Sequence, residues 1–359
     1  MSLISRRSFG RRFGLFLAGV GMSSAIAACG STSTTTGTAD AGAADGEAKP
    51  PVELTLVSYA VTQAAYEEII PKFVEQWKQE HNQEVIFNQS YGGSGSQTRA
   101  VLDGLEADVV ALALALDTKK LEEGGLIEPG WEQEAPNDSI VHKSVAVIIT
   151  REGNPKNIQG WEDLARDDVQ VVTANPKTSG GARWNYLALW GEVIQKGGSE
   201  AEAEQFVSSV YKNVPVLPKD AREATDVFYT RGQGDALINY ENEVLLAKQQ
   251  GEEQPFIIPD STISIDNPIA VVDANVDKHG TREVAEAFVE FLFTPEAQRE
   301  FAKVGFRPVD TTVAQEFADQ YPEVPNLFTI ADLGGWESVQ EKFFKDGALF
   351  DKIQSSLGK

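Results

Sequence analysis

Thr178-Ser179-Gly180-Gly181-Ala182-Arg183 follows a strand-like run at residues 169–173 and precedes a helix-like run at residues 185–194. Earlier in the chain, Gly92-Gly93-Ser94-Gly95-Ser96 stands in the same setting. We call residues 92–96 the first glycine loop and residues 178–183 the second. Glycine lets a backbone approach a ligand closely, and the first N–H groups of a helix have no partner within it. Two such loops in different halves of one chain favour an oxyanion held between two lobes.

The first glycine loop lies within alternating strand-like and helix-like runs. Strand patterns cover residues 52–57 and 84–87, and the apolar run 108–114 is typical of a central strand buried on both faces. Helix patterns cover residues 66–77 and 97–105, and Pro71 is expected to kink or interrupt the first of them. This βαβαβ order predicts a parallel sheet with right-handed crossovers.

A second α/β unit follows. Further strands are predicted at residues 145–150, 169–173, 235–239 and 269–272, and further helices at 161–164, 185–194, 202–210, 225–231, 284–293 and 296–304. We therefore expect an α/β fold of two lobes, each a central sheet flanked by helices, with a ligand in the cleft at the carboxyl ends of the strands. Lobe I is predicted at residues 52–143 and 264–310, lobe II at 144–263, and a C-terminal helical segment packing on both at 311–359.

The N-terminus has the pattern of an export signal. A basic head at Ser5–Phe9 precedes an apolar run from Phe13 to Ala28, which predicts a secretory signal peptide at residues 1–28. Ile26-Ala27-Ala28-Cys29 resembles a lipobox, so we expect lipidation at Cys29, with a plain signal peptide cut nearby as the alternative. The Arg6-Arg7 pair leaves both twin-arginine and general secretory export open.

Residues 30–51 consist mainly of Ser, Thr, Gly, Ala and Pro. Because such a stretch cannot bury a core, residues 29–51 are predicted to form a flexible tether carrying the lipidated cysteine. This layout predicts a periplasmic body held at the outer face of the cytoplasmic membrane. Cys29 is the only cysteine, so an intrachain disulfide is excluded and the core must supply the stability.

Composition limits the function classes. With 54 acidic and 31 basic residues the formal net charge is −23, which argues against nucleic acid and against a basic membrane-binding patch. An anionic ligand remains allowed, because surface charges farther away than a Debye length of about 8–10 Å are largely screened.

Catalytic motifs are not supported. Ser96 stands where a nucleophile elbow G-x-S-x-G needs its last glycine, and neither glycine loop is followed by the Lys-Ser/Thr of a nucleotide P-loop. His81, His142 and His279 are scattered without metal-ligand spacing. We expect no enzyme activity, no metal and no cofactor.

A family resemblance runs from about residue 52 to the C-terminus, and seven segments carry it. They resemble the periplasmic sulfate-binding proteins of ABC importers, of the sulfate/thiosulfate type: Ser58-Tyr59, Tyr91–Gly95, Glu106–Val110, Gly153–Lys156, Asn175–Tyr186, Tyr240–Glu243 and Arg307-Pro308. The resemblance implies a type II-like periplasmic binding protein fold whose lobes close over the ligand by hinge bending.

The resemblance also implies a ligand site made of neutral donors. The implied residues are Ala60, Ser94, Ser179, Gly180, Gly181, Ala221 and Tyr240, with Tyr240 standing where the family has an indole and Ala60 where it has an acid. Sulfate has acceptor oxygens only, so donors satisfy it, whereas the proton of hydrogen phosphate would be left unpaired. Asp220 and Glu241 are therefore expected not to reach the ligand.

The function implied is capture of sulfate for the transmembrane subunits of an ABC permease, by a monomer that touches the membrane only through its lipid anchor and binds no nucleic acid. Two alternatives stay open within binding proteins: a preference for thiosulfate or another oxyanion, and a sulfate sensor subunit. An enzyme that transfers an oxyanion would instead turn over its bound ligand.

Overall fold

The computed structural model of the protein describes residues 49–252 and 255–358. The predicted signal peptide and the lipidation at Cys29 lie outside this range. In the described part, the chain forms β-strands from several regions that join into one sheet, with helices on its faces. No helix in the described part is both long and apolar enough to cross a bilayer.

Lobe I begins with the predicted βαβαβ unit. Strand β1 pairs in parallel with both β2 and β3, so the predicted parallel sheet is confirmed. The elements are β1 Lys49–Tyr59, α1 Gln63–His81, β2 Gln83–Gly92, α2 Ser94–Leu102, β3 Val109–Ala111 and α3 Ala115–Glu123. Strand β2 therefore ends in the first glycine loop, and α2 begins within it.

Helix α1 continues through Pro71, so the interruption expected there is wrong. Proline removes one backbone N–H, which frees the carbonyl of Glu67 one turn earlier. Both residues are exposed, so water can satisfy that carbonyl. On the opposite face Ile69, Phe73 and Trp77 are buried, and this packing holds the helix together across the proline.

Lobe II contains the second glycine loop at the start of its first long helix. Its elements are a 3-10 turn at Trp161–Ala165, β5 Val171–Val172, α4 Gly180–Gln195, α5 Glu200–Lys212, α6 Ala221–Tyr229, β6 Ala236–Tyr240, α7 Glu241–Gln249 and β7 Phe256–Ile257. Strand β5 pairs in parallel with β6. As in lobe I, strand ends lead into helix starts on one side of the sheet.

Two strands of eleven residues each join the lobes: β4 at Ile140–Thr150 and β8 at Ser261–Val271. Residues 140–145 of β4 pair antiparallel with residues 264–268 of β8. Beyond that, β4 pairs with β6 of lobe II and β8 with β3 of lobe I. The resulting strand order is β2-β1-β3-β8-β4-β6-β5. Bending of this pair would move one lobe against the other.

The C-terminal part packs on this framework. Its elements are α8 Asp273–His279, α9 Arg282–Leu292, α10 Pro295–Lys303, β9 Arg307–Pro308, α11 Thr311–Glu316, β10 Asn326–Phe328, α12 Gly335–Val339, a π-helical turn at Gln340–Phe344 and α13 Leu349–Ser356. Phe343 lies 4.7 Å from Trp190 and Phe344 lies 5.3 Å from Tyr186, measured between ring centroids. An ion pair between Lys119 and Glu337 connects the same segment to α3.

Candidate ligand-binding site

A small cavity lies where the two lobes meet. Its lining residues are Tyr59, Ala60, Val61, Gly92, Gly93, Ser94 and Ala113 from lobe I, and Ser179, Gly180, Gly181, Asp220, Ala221 and Tyr240 from lobe II. All seven residues predicted from the sequence are among them. The structure therefore brings both glycine loops and four further segments together around one space.

Four helical elements begin at this cavity. They are the 3-10 turn at Ala60–Thr62 and the helices α2, α4 and α6. The first N–H groups of each lack a partner within their own helix, and they carry the positive end of its dipole. Uncharged donors from both lobes therefore converge on this cavity, which Asp220 also lines.

The second glycine loop is held in place by its own hydrogen bonds. The backbone N–H groups of Thr178 and Ser179 both donate to the carbonyl of Asn175, at 3.1 and 2.8 Å. The Ser179 hydroxyl caps α4 by accepting from the N–H of Ala182 at 3.3 Å. Its own hydrogen donates to no described residue, so it is available to a ligand, as are the N–H groups of Gly180 and Gly181.

Ser94 contributes differently from Ser179. Its hydroxyl donates to the carboxylate of Asp117 at 2.8 Å and accepts from the N–H of Ala113 at 3.1 Å. Since the hydroxyl hydrogen already has an acceptor, the group that Ser94 offers to the cavity is its backbone N–H, at the first position of α2.

Asp117 is a buried charge behind the site that the sequence analysis missed. It pairs with Arg183 across the lobes at 3.5 Å and with Lys120 at 2.9 Å. Burial acts to raise the pKa of the Asp117 carboxyl, but these two cations and the Ser94 hydroxyl outweigh it and hold the pKa below its ordinary value. The carboxylate is thus ionised and locally compensated. One acid in a helical pattern gives no sequence signal for such a role.

Tyr240 stands at the end of β6 with its ring against Gly181, where an added Cβ would lie 2.6 Å from the ring and 3.0 Å from the hydroxyl oxygen. The hydroxyl is buried and has no hydrogen-bond partner among residues 49–252 and 255–358. Burial raises the pKa of Tyr240 well above its ordinary value, and Glu243 and Asp117 act in the same direction. The phenol therefore stays protonated and is a free donor beside the glycines.

The two acids expected to avoid the ligand differ in position. Glu241 does not line the cavity, and both of its oxygens bind Arg307, at 2.6 and 2.8 Å. Asp220 does line it, as the N-cap of α6, with one carboxylate oxygen accepting from the N–H of Glu223 at 2.8 Å. That oxygen is thus engaged by the first turn of the helix, and the expectation that Asp220 does not reach the ligand stays a prediction. Among the residues that the structure describes, no cluster of three or more His, Cys, Asp or Glu side chains is arranged to hold a metal ion.

A two-lobed α/β chain with a small, donor-lined cavity between its lobes is a solute-binding protein of the kind that closes around its ligand. Residues 54–307 match the model of the bacterial extracellular solute-binding protein family. The chain belongs to that family, which binds solutes rather than transforming them.

Several curated relatives cover most of the chain. A sulfate-binding protein from Synechocystis sp. is 57% identical over 99% of this chain and 100% of its own length. A thiosulfate-binding protein from Pseudomonas aeruginosa is 40% identical over 83% of this chain and 91% of its own length. Among solved structures, the sulfate-binding protein SubI from Mycobacterium tuberculosis superposes with a TM-score of 0.75 at 39% identity, covering 82% of this chain and 100% of that one.

Proposed function

We propose that this protein captures sulfate between its lobes and delivers it to the transmembrane subunits of an ABC importer. The observation that carries the proposal is the convergence of helix N-termini from both lobes, the Ser179 hydroxyl and the unpaired Tyr240 hydroxyl on one small cavity. The names of close relatives, sulfate-binding proteins among them, support the same ligand class.

The proposed ligand contacts are the backbone N–H groups of Ala60, Ser94, Gly180, Gly181 and Ala221, together with the hydroxyls of Ser179 and Tyr240. These groups donate hydrogen bonds and carry no net charge. Sulfate presents four acceptor oxygens and no proton, so each contact is matched. Hydrogen phosphate would bring a hydroxyl hydrogen to a donor, and leaving such a group unpaired costs about 1–3 kcal/mol.

Closure of the lobes follows from the position of the ligand. An anion that contacts both lobes stabilises the arrangement in which they meet, and the population shifts by its differential affinity for the open and closed states. The bending element is the β4–β8 pair, which links the proposed lobe I (residues 52–143 and 264–310) to the proposed lobe II (144–263). The closed form would be the one presented to the permease.

The remaining parts of the proposal concern location and assembly. A signal peptide at residues 1–28, a lipidated Cys29 and the tether that follows would hold the body in the periplasm at the outer face of the cytoplasmic membrane. The family's extracellular character agrees with this location. We propose that the protein acts as a monomer and contacts the membrane only through this anchor.

Thiosulfate is the second candidate ligand, and one observation favours it. Tyr240 places a phenol where the sequence resemblance implies an indole, and its hydroxyl donates with a different reach, so the dianion that fits best can differ from sulfate. The P. aeruginosa relative is named for thiosulfate. A sensor role for sulfate would use the same site with a different partner.

Calorimetric titration of the purified protein with sulfate, thiosulfate and phosphate, each at a pH of about 6 and about 8.5, tests the proposal. We expect tight sulfate binding that is unchanged between the two values, because none of the proposed donors titrates in this range, and far weaker phosphate binding. Tight phosphate binding would contradict the donor-only site. Loss of sulfate uptake in a deletion strain would support transport over sensing.

A further inference from the structure

We propose that Gly93 sets the closed state of the protein, because the absence of its side chain lets lobe I rest on the backbone of lobe II. The inference rests on the proposed closure around an anion and adds a residue that is not one of the proposed ligand contacts. Gly93 precedes Ser94 in the first glycine loop and lines the cavity.

The distances across the lobes carry the proposal. A Cβ placed on Gly93 would lie 2.5 Å from the carbonyl oxygen of Thr178 and 3.1 Å from that of Lys219. Both oxygens belong to lobe II, and a hydrogen bond of 2.6 Å from the Thr178 hydroxyl to the Lys219 carbonyl ties the two segments together. Neither is a flexible side chain that could turn aside. Any side chain at residue 93 would therefore force the lobes apart.

The conformation of Gly93 does not itself require glycine. Its φ of −63° and ψ of 131° lie in the extended region that every L-residue adopts. A methyl group at this position would therefore leave the loop and lobe I unstrained on their own. The conflict exists only when the two lobes are together, which makes the residue selective for one state of the molecule.

Gly180 lies on lobe II and faces lobe I just as closely. A Cβ at Gly180 in lobe II would lie 2.6 Å from the Cβ of Ala113 and 3.1 Å from that of Ser94, both in lobe I. Two glycines, one on each lobe, thus face the other lobe at distances that admit no side chain. Gly180 is also a proposed ligand contact, so Gly93 is the cleaner position to test.

Gly95 provides the matched control. It lies in the same loop and also faces lobe II, but a Cβ there would be 3.4 Å from the Thr178 carbonyl oxygen, an ordinary contact. It sits in the first turn of α2, where alanine is tolerated. Gly93→Ala and Gly95→Ala therefore add the same methyl group to one loop. Only the methyl group at residue 93 would clash with lobe II when the lobes are closed.

The experiment measures sulfate affinity, sulfate dissociation rate and the radius of gyration with and without sulfate, for the parent protein and both variants. For Gly93→Ala we expect affinity to fall between about fivefold and a hundredfold, as for overpacking of a tight contact. The loss should appear as faster dissociation and a smaller sulfate-induced compaction. Thermal unfolding without sulfate should match the parent. Gly95→Ala should bind and compact like the parent.

Gly93→Ala that binds and compacts like Gly95→Ala would overturn the inference. So would a Gly93→Ala variant whose unfolding temperature without sulfate drops, since the methyl group would then disturb lobe I itself. Sulfate binding by the parent protein distinguishes failure of this inference from failure of the proposed function. If the parent binds sulfate and the variants do not differ, only the role of Gly93 fails; if the parent binds no sulfate, the proposed function fails first.

Discussion

Buried hydroxyl groups in this protein divide into those with a partner and those without. Ser94 uses its hydroxyl fully inside lobe I, whereas the hydroxyl of Tyr240 is buried beside the cavity with no partner in the described chain. An unpaired buried donor costs stability in the empty protein. Such a cost is expected where a ligand supplies the missing acceptor.

Replacing Tyr240 with Phe should separate stability from binding. The free energy of unfolding without ligand should stay the same or rise, because an unpaired polar group is removed. Sulfate affinity should fall about 10- to 100-fold, the loss expected for one hydrogen bond to a charged group. Urea unfolding and calorimetry measure the two effects.

Tyr66→Phe is the control for this change. Its hydroxyl is also buried and unpaired within the described residues, but Tyr66 lies in the core beside Phe288 and Phe301, away from the cavity. It should change stability in the same direction and leave sulfate affinity untouched. Equal affinities for both variants would remove Tyr240 from the proposed contacts.

Ser179→Ala should weaken sulfate binding by a similar factor, about 10- to 100-fold, because it removes a hydroxyl donor to the anion. It also removes the N-cap of α4, at a cost of about 1 kcal/mol in stability. Ser199 caps α5 in the same way, away from the cavity, so Ser199→Ala measures the cap alone. Calorimetry should show unchanged affinity for Ser199→Ala; an equally unchanged Ser179→Ala would contradict the assignment.

At the scale of elements, helix α4 links the site to the C-terminal segment. Its N-terminus lines the cavity, and its other residues are largely buried, with Trp190 against Phe343. Lys177, next to the second glycine loop, donates to the carbonyl of Phe344 at 3.1 Å and pairs with Asp351 at 2.8 Å. The C-terminal segment thus covers the helix that presents the proposed ligand contacts.

Phe343→Ala should lower the free energy of unfolding by about 3–5 kcal/mol, the cost of truncating a buried aromatic side chain. Urea unfolding monitored by tryptophan fluorescence measures it. Leu327→Ala is the exposed control, since Leu327 is 46% exposed, and its effect should be about 0.5 kcal/mol. If Phe343→Ala is no more destabilising than Leu327→Ala, the C-terminal segment is not part of the cooperative core.

At the scale of the whole molecule, the strand pair that joins the lobes holds a buried titratable group. His142 lies on β4 opposite Asn267 of β8, and its ring is 4.1 Å from that of Phe306 and 4.7 Å from that of Phe301. Burial lowers the pKa of His142 to about 3, although the Asn267 side chain acts in the opposite direction. The imidazole is therefore neutral in the folded protein at neutral pH.

This burial predicts a pH dependence of stability. Unfolded, His142 takes up a proton near the ordinary pKa of about 6.5, whereas the folded protein does so only near pH 3. The contribution of neutral His142 to the free energy of unfolding is thus fully present above about pH 6.5. It is lost as the pH falls toward 3, by up to about 1.4 kcal/mol per pH unit. His142→Phe should remove this slope in urea unfolding at pH values of about 4, 5 and 7.

His279→Gln is the comparison variant, because the pKa of His279 is shifted upward and the effect of pH on stability has the opposite sign. Hydrogen bonds to Asp108 and Glu106 raise the pKa of His279, while burial acts the other way. Its contribution is therefore present below the unfolded pKa and lost as the pH rises through the folded pKa. Relative to this variant, the parent should lose stability on the alkaline side. A parent and a His142→Phe variant with identical acid slopes would contradict the buried neutral state of His142.

Much of the secondary structure could be predicted from local pattern. The apolar run 108–114, the helix at 185–194 and the helix pair near the end of lobe I all lie within observed elements or their buried continuation. The seven proposed contact residues came from a family resemblance, and the structure brings them around one cavity. Neither glycine loop by itself would have identified them, because a glycine-rich turn before a helix also occurs without a ligand.

Other features depend on contacts between distant residues. Only residues 145–150 and 269–272 were predicted as strands in β4 and β8, because residues 140–145 and 264–268 become strands by pairing with each other, across a long separation in sequence. The Asp117–Arg183 pair joins residues from two helices in different lobes. The requirement for glycine at residue 93 arises from two carbonyls of lobe II and from nothing in its neighbours along the chain.

The sequence by itself determined the alternation of strands and helices, the two glycine loops and the family pattern, since these depend on residue type and spacing along the chain. Tertiary structure alone decided that the loops face one another, that Ser94 uses its hydroxyl internally, and that Tyr240 is left with a free donor. The physical reason is that hydrogen-bond satisfaction and close approach are set by atoms brought together from distant segments. Periodicity and propensity act only over neighbouring residues.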